Sequence, residues 1–420
     1  MKNLIILISS ILTIIKPEKI VFVFKHTRHG VRSPFFDDSN GKTYTDVFGM
    51  RWEKSGILTG SGISHAFTLG MKGHKKYKSL QDAMTSYDQL RIKTTNTSRT
   101  IKTAKSFLEG MFPSLFVKNI SKYFVDLFDE EEIGHLFLSE KYCPNVKLMK
   151  EYNKRHPAIQ AMYKKINDTF GEELKILFKE KNYDFLFNFE RVHHIVDTLI
   201  SDYESYRNLT FLMKEYHILA KTLYQMCIEF RNVSLFNVET NATIANVAVV
   251  KTFPIIVKAM EDVINNKPNH IKILVYSGHD IMIAPMELYL RKIFGTPLVY
   301  PHYTSNLNLK LFQNETDPSK YYVDYYLYDD LIYRTSFENF KEKVLGGLWT
   351  DEQIKEFCNR EVKLNEINSN FFILICVVII LFTSVISFGI FKYFKNKKRK
   401  NNKKKTLLEN EGKELNLYDI

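Results

Sequence analysis

A short apolar run followed at once by clustered positive charge constrains the fold of this chain more than any other feature. The segment Ile20–Phe24 consists of Val, Phe and Ile, which is typical of a buried strand. It is followed by Arg28-His29-Gly30-Val31-Arg32-Ser33-Pro34, whose glycine allows a sharp turn and whose proline prevents a helix from starting at once. We therefore expect a strand whose carboxyl end presents these charged residues at the edge where open α/β sheets bind ligands.

The position of His29 between two arginines predicts a phosphate-binding site. Arg28 and Arg32 carry planar guanidinium groups, which suit the forked recognition of phosphate oxygens. Positive neighbours disfavour the imidazolium form, so His29 stays neutral and can act as a nucleophile. An isolated Arg-His-Gly sequence is more often a simple turn, and the prediction therefore depends on companion residues elsewhere in the chain.

Three companion motifs follow in order, and two of them come within a few residues of further strand-like segments. Alternating strands and helices of this kind predict an α/β core. The motifs are Leu58-Thr59-x-x-Gly62 with Leu69-Gly70, then Arg99-Thr100 after Leu90–Lys93, then His279-Asp280 after Ile271–Tyr276.

With these motifs the chain resembles the histidine acid phosphatases, the branch 2 histidine phosphatases that include lysosomal and prostatic acid phosphatases and phytases. The resemblance extends from about Val21 to about Asp330. It implies a phosphoglycerate mutase-like α/β fold with a central, mostly parallel sheet flanked by helices. The segment from about 112 to 240 has helical spacing of its apolar residues and no family motif, so we expect it to be a helical cap insertion.

The resemblance also implies a role for each residue of the site. His29 would attack phosphorus and become phosphohistidine, and Asp280 would protonate the departing alcohol. The phosphate oxygens would be held by Arg28, Arg32, Arg99 and His279. We expect no metal and no other cofactor, because the arginines supply the positive charge. A proton donor must be protonated when it acts, which favours an acidic pH optimum.

The activity that we expect is hydrolysis of small-molecule phosphate monoesters, and two alternatives stay open. One is a phytase or inositol polyphosphate phosphatase, and the other is a catalytically silent surface receptor on the same fold. Nucleic-acid binding is not expected, because half of the net charge of +12 lies in residues 392–420, which contain ten Lys or Arg and four Asp or Glu. A homodimer is left open.

The two ends of the chain predict a membrane-anchored, exported protein. Residues 1–15 are expected to form a signal peptide, and residues 371–391 carry no charge and are long enough for a transmembrane helix. The basic segment that follows, 392–420, marks the cytoplasmic side. Residues 16–370 would then be a lumenal or extracellular domain in a single-pass type I arrangement, in a lysosome, another acidic vesicle or at the cell surface.

Cysteines and glycosylation sequons are consistent with export. The resemblance implies a disulfide between Cys143 and Cys358, which leaves Cys227 as a free thiol. A further sequon at Asn96 lies three residues before Arg99, where a glycan would crowd the site. The glycosylation candidates are Asn119, Asn167, Asn208, Asn232, Asn241 and Asn314.

Overall fold

The structure is a computed structural model that describes residues 18–35, 44–45, 51–114, 125–148, 155–179, 192–206, 214–236 and 238–359. The expected signal peptide, membrane span and basic tail lie outside these residues, as do Asn119 and Asn208. The elements are β1 (Glu18–Arg28), β2 (Tyr44–Thr45), β3 (Arg51–Trp52), α1 (Gly60–Lys76), α2 (Lys78–Asp82), a 3-10 turn (Tyr87–Gln89), β4 (Leu90–Thr94), α3 (Ser98–Met111), β5 (Val125–Leu127), α4 (Glu130–Leu136), α5 (Pro157–Lys179), α6 (Val192–Tyr206), α7 (Lys214–Phe236), α8 (Val238–Val249), α9 (Thr252–Ile264), β6 (Ile273–Gly278), α10 (Asp280–Phe294), β7 (Asn306–Asn314), β8 (Tyr321–Leu327), β9 (Asp330–Ser336), α11 (Phe337–Gly346) and α12 (Asp351–Asn359).

The central sheet has seven strands in the order β5-β4-β6-β1-β7-β8-β9. The pairings among β5, β4, β6 and β1 are parallel, whereas those among β1, β7, β8 and β9 are antiparallel. The expectation of a mostly parallel sheet is therefore wrong, and the sheet is mixed. The reason is that short turns join β7, β8 and β9, and a short turn can connect only antiparallel neighbours.

Alternate residues of β1 contribute to two hydrophobic cores on opposite faces of the sheet. Phe22 and Phe24 pack with residues of α9, α10 and α11 on one face. Val23 packs on the other face with residues of α3, such as Phe107 and Leu108. This alternation, with both faces covered by helices, fixes the register of the central strand and hence the position of the turn that follows it.

The helices α5, α6 and α7 form a cap with its own apolar cluster. Ile166, Phe170 and Phe230 are buried there, together with Val31 and Tyr303 from the α/β core. The expected helical cap from 112 to 240 is too long at its start, because β5 lies within that range and pairs with β4 in the central sheet. Three residues were too short a run to show the alternation from which a strand is predicted.

Among the described residues, no single helix has the length and apolar character needed to cross a membrane. One pair of consecutive helical segments, Thr243–Val249 and Thr252–Ile264, reaches the required length and hydropathy together, with a bend of 48° between them.

A disulfide joins Cys143 and Cys358, which are 215 residues apart, and both lie in a small apolar cluster. A bridge that closes so long a loop stabilises the folded state by roughly 5 kcal/mol in the chain-entropy model. Cys227 is a buried free thiol inside the cap cluster, and burial raises its pKa.

The described sequon residues differ in accessibility. Asn167 and Asn232 are half-buried on helices of the cap, and Asn241 lies in α8. Asn314 is 2% exposed, and its amide oxygen accepts hydrogen bonds from the backbone N–H groups of Thr316 and Asp317. A glycan at Asn314 stays a prediction, and the burial of this side chain weighs against it.

Candidate active site

The parallel pairing of β1 with β6 brings the two histidine motifs together. Arg28 at the end of β1 lies opposite Gly278 at the end of β6, and the backbone N–H of His29 donates to the Gly278 carbonyl at 2.9 Å. The ring centroids of His29 and His279 are consequently 5.2 Å apart. Residues 250 positions apart in sequence thus meet at the carboxyl edge of the sheet, where α/β folds bind ligands.

The turn after β1 is held by a close backbone approach to the start of α1. A Cβ atom on Gly30 would lie 2.5 Å from the Gly62 carbonyl oxygen, and one on Gly62 would lie 2.2 Å from the Val31 carbonyl oxygen. Only glycine fits at either position. The Thr59 hydroxyl donates to the Val31 carbonyl and accepts from the Gly62 N–H, both at 3.0 Å, so the residue that caps α1 also fixes the turn.

The hydrogen bonding of His29 defines which of its nitrogens is free to react. Its Nδ1 lies 2.8 Å from the Gly30 carbonyl oxygen, and because a carbonyl can only accept, Nδ1 carries the hydrogen. The lone pair is then on Nε2. Burial, the His279 ring and the neighbouring arginines lower the pKa of His29 well below its ordinary value. The side chain is therefore a neutral imidazole with a free Nε2, which is the form that a nucleophile requires.

The Arg28 side chain is held in place by hydrogen bonds, a ring contact and an ion pair. Its Nη1 donates to the Tyr300 hydroxyl at 3.0 Å and to the Pro301 carbonyl at 2.9 Å, while its guanidinium carbon lies 4.0 Å from the centre of the Tyr303 ring. Its Nη2 faces Asp280 Oδ2 at 3.2 Å. Burial lowers its pKa, but Asp280 and the two tyrosines outweigh burial and raise that pKa well above the ordinary value. Arg28 is a fixed positive charge.

Arg32 and Arg99 approach the same space from two other elements. Arg32 Nη2 donates to Asp197 Oδ2 at 2.5 Å, and its guanidinium lies 3.7 Å from the centre of the Phe35 ring. Arg99, in the first turn of α3, approaches the same ring at 5.4 Å, and its Nη2 lies 3.5 Å from His279 Nδ1. Burial and the nearby Arg32 lower the pKa of Arg99 to about 10, so it stays charged at physiological pH.

Asp280 is the first residue of α10, and both of its oxygens accept hydrogen bonds. Oδ1 accepts from the Ile281 N–H at 2.9 Å, and Oδ2 accepts from Arg231 Nη2 at 2.7 Å and faces Arg28. Burial by itself would raise the pKa of Asp280, but Arg28 and Arg231 together hold it well below the usual range. The neighbouring His279 is neutral, because burial and Arg99 lower its pKa to about 3.

A cavity of about 250 Å³ collects all six residues that the sequence predicts for the site, namely Arg28, His29, Arg32, Arg99, His279 and Asp280. It also contains two charged residues that sequence reasoning missed, Asp197 and Arg231, which come from cap helices α6 and α7. The signal that could have found them is weak. Each is a charge next to buried apolar residues of a cap helix, such as Val196 and Phe230, but their partners are set only by the fold.

The unsatisfied hydrogen-bond donors of the cavity indicate the kind of ligand that fits it. The Nε atoms of its four arginines, Arg28, Arg32, Arg99 and Arg231, are buried and have no acceptor among the described residues. A buried N–H without an acceptor costs free energy, and an oxyanion in the cavity would supply acceptors and negative charge together. In the part of the chain that the structure describes, no group of three or more His, Cys, Asp or Glu side chains is arranged to hold a metal ion.

Comparison with known proteins finds relatives that are named as acid phosphatases. The chain is similar to the lysosomal acid phosphatase of Xenopus laevis, with 23% identity over 367 residues that cover 83% of this chain and 82% of the relative. It is also similar to a probable acid phosphatase of Dictyostelium discoideum, with 25% identity over 276 residues, 62% of this chain and 55% of the relative.

Solved structures show the same fold at low sequence identity. The crystal structure of the Klebsiella sp. ASR1 phytase matches with a TM-score of 0.53 and 16% identity, covering 80% of this chain and 98% of the phytase. The phytase from D. castellii matches with a TM-score of 0.51 and 13% identity, covering 82% of each chain. The model of the histidine phosphatase superfamily (branch 2) matches residues 19–328, and this protein therefore belongs to that superfamily.

Proposed function

We propose that this protein is an acid phosphatase that hydrolyses small phosphate monoesters through a phosphohistidine at His29, without a metal ion. One observation carries the proposal: His29 is held as a neutral imidazole with Nε2 free, because Nδ1 binds the Gly30 carbonyl, and it lines a cavity with four arginines. A neutral nucleophile beside fixed positive charges suits attack on an anionic phosphoryl group.

In the first step, His29 Nε2 attacks phosphorus and the bond from phosphorus to the alcohol oxygen breaks. Arg28, Arg32 and Arg99 donate hydrogen bonds to the phosphoryl oxygens, and each such bond to a charged group contributes about 1.5–3 kcal/mol. His279 lies against His29 and adds a further contact to the phosphoryl group. Asp280 gives a proton to the departing alcohol, so that the alcohol leaves neutral.

In the second step, water attacks the phosphohistidine and the bond from phosphorus to Nε2 breaks. The Asp280 carboxylate left by the first step accepts a proton from this water. Inorganic phosphate leaves, and the neutral His29 is restored.

The acidic optimum follows from the state of Asp280. Because Arg28 and Arg231 lower the pKa of Asp280, the carboxyl group is ionised before substrate binds and does not hold the proton in advance. A phosphate monoester has its second pKa near 6, so below about pH 6 the substrate itself arrives with a proton that can reach Asp280. Activity should therefore rise as the pH falls below 6.

The charge of the cavity supports a monophosphate rather than a polyphosphate substrate. Four arginines face two carboxylates, Asp197 and Asp280, which leaves an excess of positive charge that matches one phosphate dianion. The other described residues of the cavity wall are histidines and neutral side chains, such as Phe137 and Ile281. A phytase would need further cations for its additional phosphates. A silent receptor would have no need of both His29 and Asp280.

We further propose that the enzyme is anchored as a single-pass type I protein by residues 371–391, with its catalytic domain on the lumenal or extracellular side. The uncharged 21-residue segment and the basic residues after it support this arrangement. An acidic lysosomal or vesicular lumen would provide the pH at which the substrate is protonated.

The test is hydrolysis of a generic aryl phosphate by the full-length chain, produced in a secretory host, from pH 4 to 8 in the presence of EDTA. We expect activity that peaks in acid and is lost in His29→Ala. The matched control is His65→Ala on α1, which removes a partly exposed histidine outside the cavity and should leave activity unchanged. Activity that persists in His29→Ala, or that disappears in EDTA, would contradict the mechanism.

A further inference from the structure

Arg231 is a charged residue of the cavity wall that takes part in neither step of the reaction described above. It lies on α7 of the cap, its side chain is 13% exposed, and its Nη2 donates to Asp280 Oδ2 at 2.7 Å. Its Nε is buried and has no acceptor within the described part of the chain. Arg231 of the cap thus forms an ion pair with Asp280, the residue that has to carry a proton during catalysis.

The two arginines that contact Asp280 differ in how firmly they are held. Arg28 donates through Nη1 to both Tyr300 and Pro301, so it cannot leave its position without losing those bonds. The hydrogen bond of the Arg231 guanidinium that the structure defines is the one to Asp280, and the remaining donors of its fork are available to a second acceptor. Of the two, Arg231 is the one that a bound phosphate can draw away.

The contact between Arg231 and Asp280 conflicts with proton donation. A carboxylate that faces two guanidinium groups on Oδ2 and accepts from a backbone N–H on Oδ1 is held in its ionised form, because both positive charges disfavour protonation. Phosphate oxygens that enter the cavity compete for the same guanidinium, and guanidinium binds phosphate through the same forked geometry as carboxylate. When Arg231 turns to phosphate, Oδ2 loses its strongest partner and can take up a proton.

We propose that Arg231 controls the protonation of Asp280: it keeps Asp280 ionised before substrate binds, and its transfer to the substrate phosphate lets Asp280 take up the proton that the leaving alcohol needs. The inference rests on the proposed phosphatase activity and deepens it. Arg231 is a positioning residue for Asp280 that becomes a phosphate ligand in the complex. The proton comes from the monoanionic substrate or from solvent, and it passes from Asp280 to the alcohol oxygen as the bond to phosphorus breaks.

Other charged and titratable groups face Asp280 and stay in place in this scheme. They come from β1, from the first turn of α3, from the residue before α10 and from the loop before β7. They are Arg28, Arg99, His279 and Tyr300. Because they remain, replacing Arg231 alone leaves Asp280 paired with Arg28, and the variant should fold.

The first test is the pH dependence of kcat for Arg231→Met and Arg231→Lys in the full-length chain, because kcat reports the titration of groups in the enzyme–substrate complex. Removing an opposite charge next to a carboxyl group moves its titration by about 1–3 pH units, so Arg231→Met should move the basic limb of kcat to higher pH by about one unit or more. Its KM should rise about tenfold or more, because a charged hydrogen bond to phosphate is lost. Arg231→Lys should keep the limb near that of the wild type, since it keeps the charge, while KM still rises because the fork is lost.

A matched control separates this effect from damage to the cap. Glu229 lies two residues before Arg231 on the same helix, and its exposed side chain forms an ion pair with Lys165 of α5. Glu229→Gln removes this ion pair and should leave both the pH profile and KM as in the wild type. An unmoved basic limb of kcat in Arg231→Met, with kcat lowered equally at every pH, would overturn the inference and leave Arg231 as a phosphate ligand only.

The second test needs neither turnover nor an Arg231 variant. Sulfate, which does not titrate near pH 5, is bound to the wild type and to Asp280→Asn, and calorimetry in buffers of different ionisation enthalpy gives the protons taken up. We expect the wild type to take up about one proton more per sulfate than Asp280→Asn. Equal uptake would overturn the inference. A wild type that takes up this proton but hydrolyses no phosphate monoester would instead contradict the proposed function alone.

Discussion

Asp197 on cap helix α6 accepts a 2.5 Å hydrogen bond from Arg32, which lies in the turn after β1 and 165 residues earlier in the chain. Arg32 Nη1 donates in addition to Ser33 O at 2.9 Å and to Ser201 Oγ at 3.3 Å, and Ser201 lies one turn after Asp197 on the same helix. The orientation of the Arg32 side chain is thus set by the cap as well as by the turn that carries it.

Replacing Asp197 should weaken catalysis in proportion to the hydrogen bond that is lost. Asp197→Ala leaves Arg32 without its charged partner, and we expect kcat/KM to fall about 10- to 100-fold, the equivalent of a charge-assisted hydrogen bond of about 1.5–3 kcal/mol. Asp197→Asn keeps an accepting oxygen and should fall less. Steady-state kinetics on the same aryl phosphate compare the two, and equal activity of Asp197→Ala and wild type would show that the cap does not orient Arg32.

The turn after β1 should not tolerate a side chain at Gly62. In Gly62→Ala the new Cβ would lie 2.2 Å from the Val31 carbonyl oxygen, and because the backbone fixes the positions of both atoms, neither can move aside alone. We expect a loss of about 1–3 kcal/mol in the free energy of unfolding, together with a loss of activity. Gly60→Ala is the matched control, since no atom lies within 4 Å of a Cβ there. Equal midpoints for both variants in urea unfolding would refute the close approach.

His26 should make the fold less stable in acid, independently of catalysis. It is fully buried on β1 next to Phe24 and Tyr276, and burial lowers its pKa to about 3. Below its ordinary value of 6.5 the unfolded chain binds a proton that the folded His26 does not, so its contribution to stability declines as the pH falls from about 6.5 towards 3.

His26→Leu should remove the contribution of one titrating group from the pH dependence of the free energy of unfolding. Between pH 6 and 4, the free energy of unfolding of the variant should decline less steeply than that of the wild type, by about 1.4 kcal/mol per pH unit. Denaturant unfolding at several pH values gives both slopes. Parallel curves would mean that His26 is protonated to the same extent in the folded and unfolded chains.

The bridge between Cys143 and Cys358 should account for a measurable part of the stability. We expect the double variant Cys143→Ser, Cys358→Ser to lose about 2–5 kcal/mol. Reduced wild type should then unfold at the same temperature as the double variant, and reductant should have no effect on the variant itself. A shift of the variant by reductant would point to a different pairing that involves Cys227.

Prediction from sequence succeeded where the signal was local. The apolar runs before Arg28 and His279 predicted strands that form β1 and β6, because Val, Ile and Phe at that density are stable only when buried. The edge strand β9 was not predicted, because its residues are mostly exposed and its apolar residues do not alternate with polar ones. Such a strand is identified by its pairing with a neighbouring strand, and its own sequence does not reveal that pairing.

The cap contribution to the site could not be predicted for a related reason. Helical periodicity predicts which face of α6 or α7 is buried, but it does not predict which strand end that face will cover. Asp197 and Arg231 reach the site only because α6 and α7 pack over the turn after β1 and the start of α10. Their partners, Arg32 and Asp280, were found because they belong to motifs that are continuous in sequence.

The central claim is that His29 becomes covalently phosphorylated, and trapping that species tests it most directly. The full-length protein is mixed with a radiolabelled aryl phosphate at acidic pH and quenched within milliseconds in alkali, where phosphohistidine survives and phosphoserine-type esters can be told apart by their stability in acid. We predict labelled protein with the label on the peptide that contains His29, stable in alkali, lost in acid, and absent from His29→Ala. Hydrolysis by wild type without any labelled protein, or a label that persists in His29→Ala, would contradict the account.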